Sequence, residues 1–197
     1  MNTSVDRHTT RLLAGAAVVL MMALAAPSAD ATVLKDLKLA DLVEQSHAIV
    51  IGEVVGQRCH RPGGDQGHIW TDTAVTVKQT LKGKAPDELV IRQQGGRVGD
   101  VVMHVAGNAQ LPLGGRFVLF LVEEGGRYFT VGMELGAFLI EGDGEKATVA
   151  RKTSVPVAIE APDGGVVMAP ADGTWEGARL TRLTAEVARL VAGEVER

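Results

Sequence analysis

Residues 47–83 read HAIVIGEVVGQRCHRPGGDQGHIWTDTAVTVKQTLKG, and the fold turns on how this stretch is divided. Ala48, Ile49, Val50 and Ile51 form a short apolar run of the kind carried by a strand buried on both faces. Val54 and Val55 extend it past Gly52, and a glycine inside a strand marks a bulge or a close backbone approach. The pattern predicts a strand over 48–56, a polar loop over 57–68 and a longer strand over 69–81. The second arm is rich in Thr and Val, whose stiff branched side chains suit a pleated surface better than a helix. Ile69, Thr71, Thr73, Val75 and Val77 share one parity; Trp70, Asp72, Thr76, Lys78 and Thr80 share the other, with the small Ala74 among them. One face of this strand is expected to point inward and the other to be wet.

Outward from the hairpin, Leu39, Leu42, Val43 and Ser46 follow helical spacing and predict a short helix over 39–46. A Pro86-Asp87 turn leads to a third strand over 88–93, with Leu89 and Ile91 on one face and Gly95-Gly96 at its end. Residues 97–114 are the least regular, with a short strand at Val101, Val102, Met103 and Val105. The run FVLFLV over 117–122 is the most apolar strand, and 127–131 pairs back on it as a hairpin. Residues 136–140 and 147–151 form a further pair, and 155–168 a weaker one around Pro162-Asp163-Gly164-Gly165. Leu180, Leu183, Val187, Leu190 and Val191 then define an amphipathic helix that covers the core, with Thr181 as N-cap and Gly193 just past its end. Short strands, glycine-rich turns and helices near the ends predict a mainly β protein: a small, closed or partly closed OB-like β-barrel with a short N-terminal and a C-terminal amphipathic helix.

The first residues read differently. Arg7 and Arg11 precede an uncharged apolar stretch over 12–26, followed by the small-x-small site Ala29-Asp30-Ala31. Residues 1–31 are expected to be a secretory signal peptide cleaved after Ala31, since the apolar stretch is short for a span of about 20 residues. Residues 32–197 are then one domain of an exported protein, periplasmic or extracellular. Removing the leader takes equal numbers of each sign, so the net charge stays at −4, which disfavours nucleic acid and anionic lipid as partners. A single cysteine, Cys59, excludes an internal disulfide framework.

Familiar catalytic patterns are absent. Ser46 and Ser154 are the serines of the mature chain; neither lies in G-x-S-x-G, and Ser46 and His47, adjacent on an extended chain, point apart. H-E-x-x-H and C-x-x-C are missing. Ligand-type residues gather in RCHRPGGDQGH, where Cys59, His60, Asp65 and His68 offer thiolate, imidazole and carboxylate donors; the competing reading is a solvated hairpin loop with Cys59 buried as a small hydrophobe. QQGGRVGD (93–100) offers glycines and an arginine to an anion, but outside a β-α-β unit it reads as turn chemistry. Glu141, Asp143 and Glu145 fall in a turn without the calcium-loop pattern. No catalytic residue, cofactor or defined metal-ligand set is assigned.

LADLVEQSHAIVIGEVVGQ (39–57) followed by TDTAVTVKQTLKG (71–83) resembles the first part of netrin-like and TIMP-like domains. It is equally similar to a broad group of bacterial exported proteins that share A-x-V-x-G-x-V, L-K-G, G-G and an F-V-L-F-L strand, here 48–54, 81–83, Gly95-Gly96 and 117–121. The resemblance implies an OB-type barrel with flanking helices over about 39–140. TIMP-like inhibitors set a disulfide-tied N-terminal cysteine on a protease's zinc; residue 32 is Thr, so no inhibitory residue carries over. The function expected is that of a non-enzymatic binding module for a protein or peptide partner. The alternatives are a metal- or redox-responsive protein acting through Cys59, His60 and His68, and an enzyme of unmatched type.

Overall fold

The hairpin forms, and it is longer than its hydrophobic pattern. A computed structural model describes residues 34–160 and 165–193; the expected leader and the turn at Pro162, Asp163 and Gly164 lie outside the described residues. In chain order the strands are β1 (Leu34–Lys35), β2 (Ala48–His60), β3 (Trp70–Lys82), β4 (Glu88–Gln94), β5 (Gly96–Val98), β6 (Val101–Met103) and β7 (Arg116–Glu124). They continue with β8 (Arg127–Thr130), β9 (Ala137–Glu141), β10 (Thr148–Ala150), β11 (Val157–Glu160), β12 (Val166–Ala169) and β13 (Ala178–Arg179). Two α-helices are described, α1 (Leu39–Gln45) and α2 (Leu180–Val191). The described chain is mainly β.

The loop expected over 57–68 is a correction. β2 runs on to His60, pairing Gln57 with Thr73, Arg58 with Asp72, Cys59 with Thr71 and His60 with Trp70. The polar residues stay extended because each of them pairs with a residue of β3; only the nine residues 61–69 lie between the arms, with a 3-10 turn at Gly64–Gln66. Gly52 fits its expected role: a Cβ there would stand 2.5 Å from Val75 Cγ1, and the register slips between Ile51 and Gly52. Three such slips along β2 curl the hairpin.

The main sheet has the order β13-β10-β9-β7-β2-β3-β4-β8, and β8 pairs with β7 as well. Strands β7-β2-β3-β4-β8 therefore return on themselves in a partly closed sheet. The seam is narrow: β4 and β8 meet in parallel at the single register pair Ile91–Tyr128. β1, β11 and β12 make a small separate sheet, and β5 and β6 a hairpin. β1, a strand the sequence pattern does not single out, precedes α1 and pairs in parallel with β11.

The run FVLFLV is apolar throughout because β7 is buried on both sides. Phe117, Leu119 and Leu121 join Val50, Val54, Val75, Leu89 and Ile91 on the enclosed side. Val118 and Phe120 face the other way, against Leu39 and Leu42 of α1, Leu183 and Val187 of α2, and Phe138. Helix α2 starts one residue before the expected N-cap. Arg179 caps it without a side-chain bond, because β13 pairs with β10 and runs straight into the helix, Leu180 N donating to Ala147 O at 2.9 Å. Gly193 takes φ +78°, the left-handed form expected past a helix end.

The Leu81-Lys82-Gly83 motif has a structural task. Lys82 Nζ donates to the carbonyls of Val43 (2.5 Å), Ser46 (2.8 Å) and Glu44 (3.4 Å), placing a cation on the orphan acceptors at the end of α1. Gly83 (φ +72°) lies so close to His47 O that a Cβ would come within 2.1 Å. Among the described residues no helix is long and apolar enough to cross a membrane.

Candidate functional site

Alternation along β2 sends Cys59 and His60 to opposite faces of the sheet. The outer face carries His60 beside Trp70, Asp72 beside Arg92 and Gln94 beside Trp70 across the β2-β3-β4 ladder. Arg92 grips Asp72 in a two-pronged pair, Nε to Oδ1 and Nη2 to Oδ2, both at 2.6 Å. His60 Nε2 lies 3.0 Å from the same Oδ2 and 3.1 Å from Arg92 Nη2, and the guanidinium stands 5.7 Å from the centre of the Trp70 ring. The hydrogen bond from Arg92 holds the Asp72 carboxyl below the usual range, helped by the charges of Arg92 and His60 and opposed by burial. Asp72 in turn raises the Arg92 guanidinium.

His60 faces two incompatible neighbours through one atom. The guanidinium only donates and the ionised carboxylate only accepts, so Nε2 accepts from Arg92 in one tautomer and donates to Asp72 in the other. The face is poised rather than saturated, and with side chains 16–27% exposed it meets solvent. Beside it, Trp70, Arg92, Gln94, Asn108, Phe129 and Met133 line a groove of about 280 Å³ where β4 and β8 part beyond their one register pair. Met133 sits at φ +59°, a costly conformation for a residue with a side chain.

The inner face ends in a different environment. Cys59 Sγ lies 3.3 Å from Thr71 Oγ1, whose proton is committed to Gly95 O at 2.7 Å. Gln57 Nε2 donates to Thr73 Oγ1 (3.2 Å) and Leu111 O (2.8 Å), and Gln93 Nε2 to Ala109 O (3.2 Å). These bonds tether residues 109–111 across the mouth of the curled sheet. Gly96 makes room: at φ +127°, a Cβ there would press within 2.5 Å of Thr71 Oγ1 and 2.8 Å of Cys59 Sγ.

The other candidates of the hairpin loop do not converge. Asp65 pairs with Arg61, whose Nε also donates to Gly67 O at 2.8 Å. His68 Nδ1 meets Gln94 Nε2 at 3.0 Å. Cys59, His60, Asp65 and His68 are thus divided among separate partners, and among the described residues no three His, Cys, Asp or Glu side chains are grouped to hold a metal ion. Ser46 Oγ donates to Leu42 O, while His47 Nδ1 accepts from Glu123 N. Ser154 Oγ donates to the buried Glu134, which also accepts from the amides of Ser154 and Val155. Asp143 pairs with Arg116 and Glu141 with Lys152, so two of the three acidic residues of that turn have separate basic partners. Residues 93–100 form the end of β4 and the β5-β6 hairpin.

Sequence reasoning leaves Trp70 and Asp72 on the wet face of their strand, takes Gln57 as loop and Gln93 as part of a turn motif, and gives Arg92 and Asn108 no role. One signal was available: Trp70 is one of two tryptophans, and it stands on the polar parity of its strand. No family model matches the chain, and no curated protein matches it.

Proposed function

We propose that this chain is an exported, non-enzymatic binding module on an OB-like barrel, and that it takes a protein or peptide partner on the outer face of β3 and β4. The observation that carries the reading is the Arg92–Asp72–His60 cluster packed against Trp70 and opening on the groove that contains Phe129. Most of the chain's few aromatic rings are buried, yet Trp70 and Phe129 remain partly exposed on one groove. Trp and Arg are the side chains that most often anchor protein interfaces. The five returning strands support the OB-like part of the proposal, because such barrels bind extended ligands on the outer surface of strands two and three, here β3 and β4 of the ring. Export rests on the leader pattern of residues 1–31.

The test is retention of a partner on immobilised protein, eluted competitively by free protein. A partner held by wild type and by Cys59→Ser, but lost by Trp70→Ala and Arg92→Ala, supports the module. A partner or metal lost on Cys59→Ser alone would move the function to the Cys59, His60 and His68 alternative. Turnover of an envelope substrate that Trp70→Ala does not touch would replace the reading with an enzyme.

A further inference from the structure

The inner mouth of the curled sheet opens into a cleft of about 330 Å³, walled by Gln57, Cys59, Thr71, Gln93, His104 and Asn108. That is the small end of the ~300–1,000 Å³ spanned by ligand pockets. Two features of its wall define what fits. No Asp, Glu, Lys or Arg is among the lining residues. An ion entering would shed water without meeting an opposite charge, which is strongly unfavourable.

The second feature is a set of amide acceptors that the protein leaves unmatched. The amide nitrogens of Gln57, Gln93 and Asn108 donate to the main-chain carbonyls of Leu111, Ala109 and Gln94. Those acceptors fix the orientation of each amide. The amide oxygens receive no hydrogen bond from the described residues. Thr71 gives its proton to Gly95 O, so the Cys59 thiol donates to Thr71 Oγ1. The amide oxygens are thus acceptors without a protein donor, while the His104 ring and the second amide hydrogens of Gln93 and Asn108 remain as donors.

We propose that this cleft, which meets the outer groove at Gln93, Val105 and Asn108, binds a small neutral molecule that presents several hydroxyl groups, about one sugar ring in size. Hydroxyls supply the donors that the amide oxygens lack and accept from the His104 ring, and neutrality matches a wall without Asp, Glu, Lys or Arg.

Cys59 is the only cysteine of the chain and lines the cleft, so its alkylation by iodoacetamide reports occupancy. The probes are glucose, N-acetylglucosamine and glycerol, with glucosamine and glucose 6-phosphate as charged counterparts. A bound neutral probe at four times its Kd should slow alkylation about fivefold, as the free fraction falls by 1 + [L]/Kd. The same probe should shift the side-chain amide resonances of Gln57, Gln93 and Asn108 in an ¹⁵N spectrum. Protection and shifts from a neutral probe, absent with its charged counterparts, support the site. No protection and no shift with any neutral probe, or equal protection by glucose 6-phosphate, overturns it.

Discussion

Trp70 and Thr71 are neighbours in sequence and belong to different chemistries. On the outer face Trp70 meets Arg92, Asp72 and His60, a charged cluster in which one imidazole nitrogen has two claimants. On the inner face Thr71 meets Cys59, Gly95 and Gly96 in a wall without Asp, Glu, Lys or Arg. The same rungs of β2 and β3 build both. Two-residue periodicity lets one hairpin end present two unlike surfaces, and a loop-based reading of its sequence merges them into one.

The contrast is sharpest in tolerance to added volume. Gly96→Ala places a methyl against Thr71 Oγ1 and Cys59 Sγ at a left-handed φ, and should cost about 3 kcal/mol or more from strain plus overpacking. Gly99→Ala, at φ +59° with open space around it, should cost only about 1 kcal/mol. Chemical denaturation of both variants checks this; equal costs would mean the inner wall is not closely packed.

On the outer face the expected effect is electrostatic and smaller. Arg92→Met leaves Asp72 without its two-pronged donor and should cost about 1–2 kcal/mol, the range between exposed and buried pairs. Gln57→Leu on the inner face strands the fully buried Thr73 hydroxyl and should cost a similar ~1–2 kcal/mol. The doubly substituted protein should show additive losses, because the two residues share no partner. A coupling well above ~0.5 kcal/mol would show that the faces are not independent.

Acid separates the faces further. Asp72 has a folded pKa below its unfolded one, so its pair contributes stability above the unfolded carboxylate value of ~3.9. That contribution is lost as pH falls through the lower folded value. Wild type should therefore lose stability more steeply below about pH 4 than Asp72→Asn does. Asp172, held low chiefly by its hydrogen bond from Thr174, is common to both proteins and cancels. Identical acid limbs would remove Asp72 from the ion-pair account. The smallest effect belongs to Cys59→Ser, a near-isosteric change at a half-buried site, expected within about 1 kcal/mol in the same denaturation series.

Much of the fold is legible in the chain because burial writes it there. The alternation of Ile69, Thr73 and Val75, the two-sided apolar run of β7 and the helical spacing of Leu183 and Val187 each reflect a face that must leave water. The end of β2 is not legible in that way. Gln57, Arg58, Cys59 and His60 carry no apolar signal; cross-strand pairing holds them extended, and pairing is a property of two segments. The start of α2 is misjudged for a related reason, since the pairing of β13 with β10 and the bond from Leu180 N to Ala147 O fix the first turn in place of a capping side chain. The outer site stays hidden because Asp72 and Arg92 are 20 residues apart and meet only through the β3-β4 register.

The central claim is that adjacent residues of β3 serve separate surfaces, with the partner on the outer one. The most direct measurement is the affinity of the captured partner for wild type, Trp70→Ala and Thr71→Val. Removing an aromatic anchor is expected to weaken binding by at least about tenfold, a loss of ~1.4 kcal/mol or more, while Thr71→Val leaves it unchanged. Equal affinity for all three proteins, or a loss confined to Thr71→Val, would contradict the assignment of the partner to the outer face.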